Sequence, residues 1–212
     1  MMRGAGLVLL LAFACWLPLR AADASSLKLP PGARVAIVMF EDLQCPDCAR
    51  AYPMVWEAAN AHHVPVVLYD FPLPKHNWSF AAAVFARFFD TKSQSLGNDY
   101  RGYIYRMQNL IADEGGLQSY TQQFADDHTI ALPSSIDPEG KLAEKVHADY
   151  ELGQKIGLEY TPTIFVIGPG SVSTPFVEVV DRAQLSQLIE DMQKKAGPAA
   201  PAKGTATKRK TG

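Results

Sequence analysis

The sequence predicts an α/β fold around a central mixed sheet, ordered β-α-β, a helical insertion, then β-β-α. Three observations carry this. Residues 34–40, Arg-Val-Ala-Ile-Val-Met-Phe, form a near-continuous apolar run with β-branched members, the pattern of a strand buried on both faces. Between about residues 78 and 150 strand signals vanish, and apolar residues recur at helical spacing instead. Beyond them, residues 164–167 and 174–180 read as two strands around a Gly168-Pro169-Gly170 turn, an antiparallel hairpin.

The chain has 212 residues, enough for one domain with a real core or for a domain carrying an insertion. Residues 1–24 read as a secretory signal: Arg3 supplies the positive start, residues 6–19 the apolar run, and Ala22-Asp23-Ala24 a small-x-small cleavage site. An apolar run of about 14 residues is short of the roughly 20 that span a bilayer. The mature chain is expected to begin near Ser25. Cys15 as an acylated residue is the weaker reading, because Ala12-Phe13-Ala14 lacks the leucine expected before such a site.

The domain then covers residues 25–195. Pro30-Pro31-Gly32 makes the start a lead-in with at most a brief strand at residues 27–29. After the first strand, residues 49–59 read as a helix carrying Pro53, where a backbone bond is lost and a bend is expected. Residues 64–69 give a second strand, parallel to the first through a right-handed crossover. The insertion, about residues 78–150, holds helices at 79–89, 100–112, 117–127 and 138–156. Its aromatic residues Phe80, Phe85, Phe88, Tyr100, Tyr103 and Tyr105 are read as core rather than as a ligand box. An amphipathic helix over 182–195 closes the fold, and residues 196–212, rich in Ala, Pro, Gly, Thr and Lys, read as a disordered basic tail.

Charge excludes one class of partner. Residues 25–193 hold 12 basic and 21 acidic side chains, a net of −9, which argues against nucleic acid. The basic tail is read as a solvated end, with contact to an anionic membrane surface as the sharper alternative. His62 and His63 stand in a turn without a spaced Cys/His set, so no metal site is expected.

The chemistry concentrates in Phe40-Glu-Asp-Leu-Gln-Cys45-Pro46-Asp47-Cys48. A strand that delivers a cysteine to the first turn of a helix sets its sulfur against unpaired backbone N–H groups and the positive end of the helix dipole. Such thiols ionise at roughly 3.5 to 7.5 instead of about 8.5, and the thiolate is the species that attacks a disulfide. Pro46 is tolerated there because its missing N–H would have had no partner. With Cys15 inside the signal, the mature chain keeps only Cys45 and Cys48. A lone C-x-x-C closes almost no loop and does little for stability, so redox chemistry explains it better. Asp47 puts a negative charge beside the reactive sulfur, so Cys45 is expected to be less acidic than with a histidine there.

This order of elements, with C-P-x-C at the first helix and Tyr160-Thr161-Pro162-Thr163 opening the third strand, resembles the DsbA-like exported thiol-disulfide oxidoreductases of the thioredoxin superfamily. The resemblance covers about residues 34–195 and implies a thioredoxin-like fold. It implies that Cys45 is the exposed nucleophile, Cys48 the buried resolving thiol and Pro162 a cis proline against the disulfide. Thr161 would offer its backbone to an extended substrate peptide. The family often has a buried acid six residues before the first cysteine; Met39 stands there. Strand alternation puts Glu41 on the face of Met39 and Asp42 on the other, and either acid could serve the thiols.

The expected activity is oxidation: the Cys45–Cys48 disulfide passes to reduced or unfolded substrate proteins, and a membrane quinone-linked thiol oxidase regenerates it. No cofactor beyond that disulfide is expected, and the protein should be a monomer in the periplasm or another extracytoplasmic space. A reductase or isomerase is the alternative within redox chemistry, though no dimerising module fits before Arg34. A peptide-binding module, or a copper carrier using both thiols as soft ligands, is the alternative outside it.

Overall fold

The computed structural model describes residues 24–173 and 182–197. The expected strand at 174–180 lies outside them, as do all but Ala24 of the expected signal at 1–24 and all but Ala196 and Gly197 of the expected tail at 196–212. Within them run β1 (Ala36–Glu41), α1 (Pro46–His62), β2 (Val66–Asp70), α2 (Ser79–Asp90), α3 (Gln94–Met107), α4 (Glu114–Asp127), α5 (Lys141–Ile156), β3 (Thr163–Gly168), β4 (Ser171–Val172) and α6 (Arg182–Ala196). The described sheet has the order β2-β1-β3-β4. β2 lies parallel to β1, while β3 is antiparallel to β1 and β4 to β3, so the mixed sheet is present; β3 pairs with the two residues Ser171–Val172, directly after the Gly168-Pro169-Gly170 turn and ahead of the strand expected at 174–180. Residues 27–29 form no strand; a short 3-10 turn at Ala24–Ser26 precedes them, and Leu27 is buried as an anchor for the lead-in.

β1 and β3 are buried along their whole length because the sheet is covered on both sides. Alternation divides their side chains. Ile37, Met39, Ile164 and Val166 pack with α1, α6 and the insertion, whereas Ala36, Val38, Phe40, Phe165 and Ile167 pack with Phe71 and Ile156. β2, at the edge, is only half-buried until Asp70. On the second face, Gly153 of α5 meets Phe71 so closely that a Cβ would lie 2.5 Å from the ring.

Local signals fix the helix ends. Ser93 accepts the Leu96 N–H at 3.0 Å and starts α3 six residues earlier than apolar spacing suggests. Asp113 caps α4 through the Gly116 N–H at 2.8 Å. Asp137 accepts from the amides of Leu142 and Ala143, so α5 begins at Lys141, after Pro138. Gly157, at φ 91°, ends it in the left-handed region that glycine favours. α1 runs through Pro53.

Most of the insertion's aromatic residues are core: the Phe89 ring lies 4.6 Å from Tyr100, tilted, and 5.0 Å from Phe124, edge to face, centroid to centroid. Phe80 departs from that reading; it is 36% exposed and lies over His147. Buried ion pairs then fasten the insertion to the sheet. Arg87 pairs with Asp70 of β2 at 2.5 Å and with Asp149 of α5. Arg101, fully buried, takes both Asp90 oxygens at 2.8 and 2.9 Å and reaches Glu41 of β1 at 3.0 Å. Removing one partner from such a group costs about 3–5 kcal/mol, because the other charge is left buried and unpaired.

Candidate active site

β1 ends at Glu41, and the turn through Leu43 delivers Cys45 as the N-cap of α1, with Pro46 next. Its backbone is extended at φ −85° and ψ 121°, while its carbonyl already accepts the Ala49 N–H at 3.1 Å. Serine or aspartate commonly fills this position and satisfies the first amides of the helix. The Cys45 sulfur makes no such cap bond, and of the first amides only the Cys48 N–H bears on its charge.

Both cysteines are free thiols, and they differ sharply. The hydrogen bond from the Cys48 thiol holds Cys45 down at about 6 against its burial, helped by Thr161 and the Cys48 backbone N–H and opposed by the Asp42 charge. Cys48 is fully buried, and that burial pushes its thiol well above the usual range, with the hydrogen bond to Cys45 and the charges of Cys45 and Glu41 adding to the effect. Its sulfur accepts the Asp42 N–H at 3.4 Å.

Cys45 is not the exposed nucleophile that the resemblance implied. It is 6% exposed, because the loop before β3 lies over it and its thiol reaches the Thr161 carbonyl at 3.3 Å. The Thr161–Pro162 peptide bond is cis, and both residues are buried. The sulfur instead opens onto a groove of about 480 Å³, walled by Leu73, Pro74, Lys75 and His76 on one side and by Glu159, Tyr160 and Thr161 on the other. Pro46 and Asp47 line it as well. Asp47 pairs with Arg50 on the open surface, so part of the charge set beside the sulfur is balanced.

The wall of residues 73–76 is held by Asp42. One carboxylate oxygen accepts from the Gln44 N–H at 2.7 Å and the Ser79 hydroxyl at 2.5 Å. The other accepts the Leu73 N–H at 2.7 Å and lies 2.6 Å from His76 Nδ1. Gln44 extends the brace, accepting the Trp78 N–H and donating to Asn77. Glu41 occupies the opposite side of the strand. It is buried, accepts the Tyr105 hydroxyl at 2.8 Å and faces Arg101. Burial raises its carboxyl to about 7, with Arg101 pulling the other way.

The thioredoxin family model matches residues 30–196, most of the chain and all of the core just described. The chain belongs to the thioredoxin family. Solved structures show which variant of the thioredoxin fold it carries. α-DsbA1 of Wolbachia pipientis superposes with a TM-score of 0.66 at 15% identity, over 79% of this chain and 90% of that one. The thiol-disulfide exchange protein α-DsbA2 of the same organism gives 0.63 at 18%, over 78% and 86%. ScsC of Proteus mirabilis gives 0.60 at 18%, over 79% and 71%. No curated protein matches. The fold is thus DsbA-like, a thioredoxin sheet with the helical insertion between β2 and β3.

The residues that sequence reading singled out meet here: Cys45, Cys48, Pro46, Asp47, Thr161 and Pro162 lie at one end of β1 and β3. It missed the 73–76 wall and the insertion's Arg101 and Tyr105. For Arg101 a signal existed, since it falls between Gly97 and Tyr105 on the buried stripe of α3, where a charge requires a partner.

Proposed function

We propose that the protein is an exported thiol-disulfide oxidoreductase acting as an oxidase on reduced substrate proteins. The observation that carries this is the inequality of the two thiols. A Cys45 thiolate stable near neutral pH is a good leaving group and favours the reduced enzyme, which is what an oxidising potential means. A substrate thiolate attacks Cys45 Sγ and the disulfide electrons pass to Cys48. A second substrate thiolate then attacks the substrate sulfur of the mixed disulfide and releases Cys45. The substrate loses two electrons and two protons, which a membrane quinone-linked thiol oxidase would collect from the reduced pair.

The groove suits an extended chain carrying its cysteine to Cys45, with the Thr161 backbone as the pairing edge. The redox carrier is the Cys45–Cys48 disulfide alone, and the working unit is a monomer. Export rests on the leader at residues 1–24; among the described residues no helix is long and apolar enough to cross a membrane.

The test is the reduction potential of residues 25–212 against glutathione buffers. A value of about −120 to −180 mV supports the oxidase, and one near about −270 mV refutes it in favour of a reductant.

A further inference from the structure

Thiol-disulfide exchange begins with a thiolate, and a substrate cysteine in water is a poor source of one. An ordinary thiol at about 8.5 is only about 3% ionised at pH 7. The reaction above starts from that minor form. A base standing in the groove beside Cys45 would draw the thiolate from the neutral majority instead.

His76 has no part in that reaction, yet the structure builds a mount for it on the wall of the groove that Cys45 opens onto. Its backbone N–H donates to the Leu73 carbonyl at 2.9 Å, and its Nδ1 lies 2.6 Å from the buried Asp42 carboxylate. That carboxylate also accepts from Gln44, Ser79 and Leu73, so it serves as an acceptor throughout and the network assigns the hydrogen to Nδ1. In neutral imidazole Nε2 is then the bare acceptor. Among the described residues no group hydrogen-bonds to it, and the side chain keeps 15% of its surface exposed. Asp42 ties the mount to the reactive centre: its carbonyl accepts the Cys45 N–H at 2.9 Å, and its own N–H meets the Cys48 sulfur at 3.4 Å. One residue thus positions both the thiols and the imidazole. The other titratable groups about the groove are Lys75 beside His76, and Cys45, Asp47, Glu159 and Tyr160, with Asp47 paired to Arg50. A carboxylate is too weak a base for a thiol, and a lysine or tyrosine at neutral pH already holds its proton; imidazole combines a free lone pair with a matched proton affinity.

We propose that His76 is the general base for the incoming substrate thiol, with Asp42 as its positioning residue. The proposal rests on the redox reading above and supplies the attacking species. As the substrate sulfur bonds to Cys45 Sγ, its proton passes to His76 Nε2 and the electron pair of the broken S–S bond goes to Cys48. The imidazolium, held against the Asp42 carboxylate, gives its proton up to water in the groove while Cys48 takes one up, so the step balances. The second substrate thiol meets the same base when it attacks the substrate sulfur of the mixed disulfide.

The test is the rate at which a peptide dithiol reduces the oxidised protein, followed by acid quench and mass spectrometry from pH 7 to 9.5. Between pH 7 and 9 the thiolate fraction of such a peptide rises about 25-fold, whereas the wild-type rate should rise less than about 5-fold. His76→Asn keeps an N–H for Asp42 and removes Nε2. Its rate should fall about 10- to 30-fold at pH 7, the ceiling being the inverse of a thiolate fraction of about 3%, and should match wild type at pH 9.5. A merely structural role gives a loss that is equal at every pH, and that result overturns the proposal, as does a variant with the wild-type rate at pH 7. If His76→Asn fails to fold, the wild-type profile decides alone: a rate that tracks the thiolate fraction through the whole rise overturns the base. A wild-type protein that leaves the dithiol reduced at every pH instead overturns the redox reading itself.

Discussion

Replacing Cys48 by alanine tests what holds the Cys45 thiolate. The leading contribution is the Cys48 hydrogen bond, with burial opposing it. With the thiol at about 6, roughly nine-tenths of Cys45 is ionised at pH 7, against about 3% for an ordinary cysteine at 8.5. A hydrogen bond to a charged group contributes about 1.5–3 kcal/mol, or roughly one to two pH units at 1.36 kcal/mol each. Cys48→Ala should therefore move the Cys45 midpoint up to about 7–8 and lower its iodoacetamide reactivity at pH 7 by roughly 2- to 10-fold. The assay is alkylation rate against pH, with thiolate absorbance at 240 nm as an independent reading. A midpoint still near 6 in Cys48→Ala would refute the reasoning and shift the credit to Thr161 and the helix amides.

The same shift sets the pH dependence of the reduced protein. Because the folded Cys45 value is depressed, its stabilisation is complete above the unfolded value of about 8.5 and is lost as pH falls through about 6. At pH 7 it amounts to about 1.4 kcal/mol before screening, and water in the groove reduces that to about 1 kcal/mol. As a two-electron couple, this makes the protein more oxidising by about 20–30 mV at pH 7.

Two further outcomes follow from the packing. Asp42→Asn puts an amide where two donors expect an oxygen, so it should destabilise the fold by about 2–4 kcal/mol and loosen the 73–76 wall; an unchanged urea midpoint would count against that brace. Gly153→Ala drives a methyl to 2.5 Å from Phe71, whose ring is stacked on Tyr150, and should cost about 1–3 kcal/mol despite alanine's better helix propensity, read as a lower thermal midpoint.

What the sequence made legible was what local pattern dictates. The apolar run of β1, the cysteines at a helix start and the Thr-Pro before β3 are each a few consecutive residues whose types have one good structural use. Starts of helices were legible less well, because Ser93 and Asp113 act by capping amides that apolar spacing does not register. The choice between Glu41 and Asp42 could not be read at all. Alternation put them on opposite faces, but their roles depend on what comes to meet them: Tyr105 from 64 positions away for one, Leu73 and His76 from over 30 away for the other. The near-burial of Cys45 has the same origin, since the residue covering it lies 116 positions downstream.

The last feature lies at the other end of β1. Arg34, just before the strand, bonds through its guanidinium to the carbonyl of Ala196, the final residue of α6. A six-residue strand is about 20 Å long, so this clasp and Cys45 stand a domain's thickness apart. A tether, tag or surface grafted beyond Gly197 would thus grip the molecule by its base and leave its mouth facing outward.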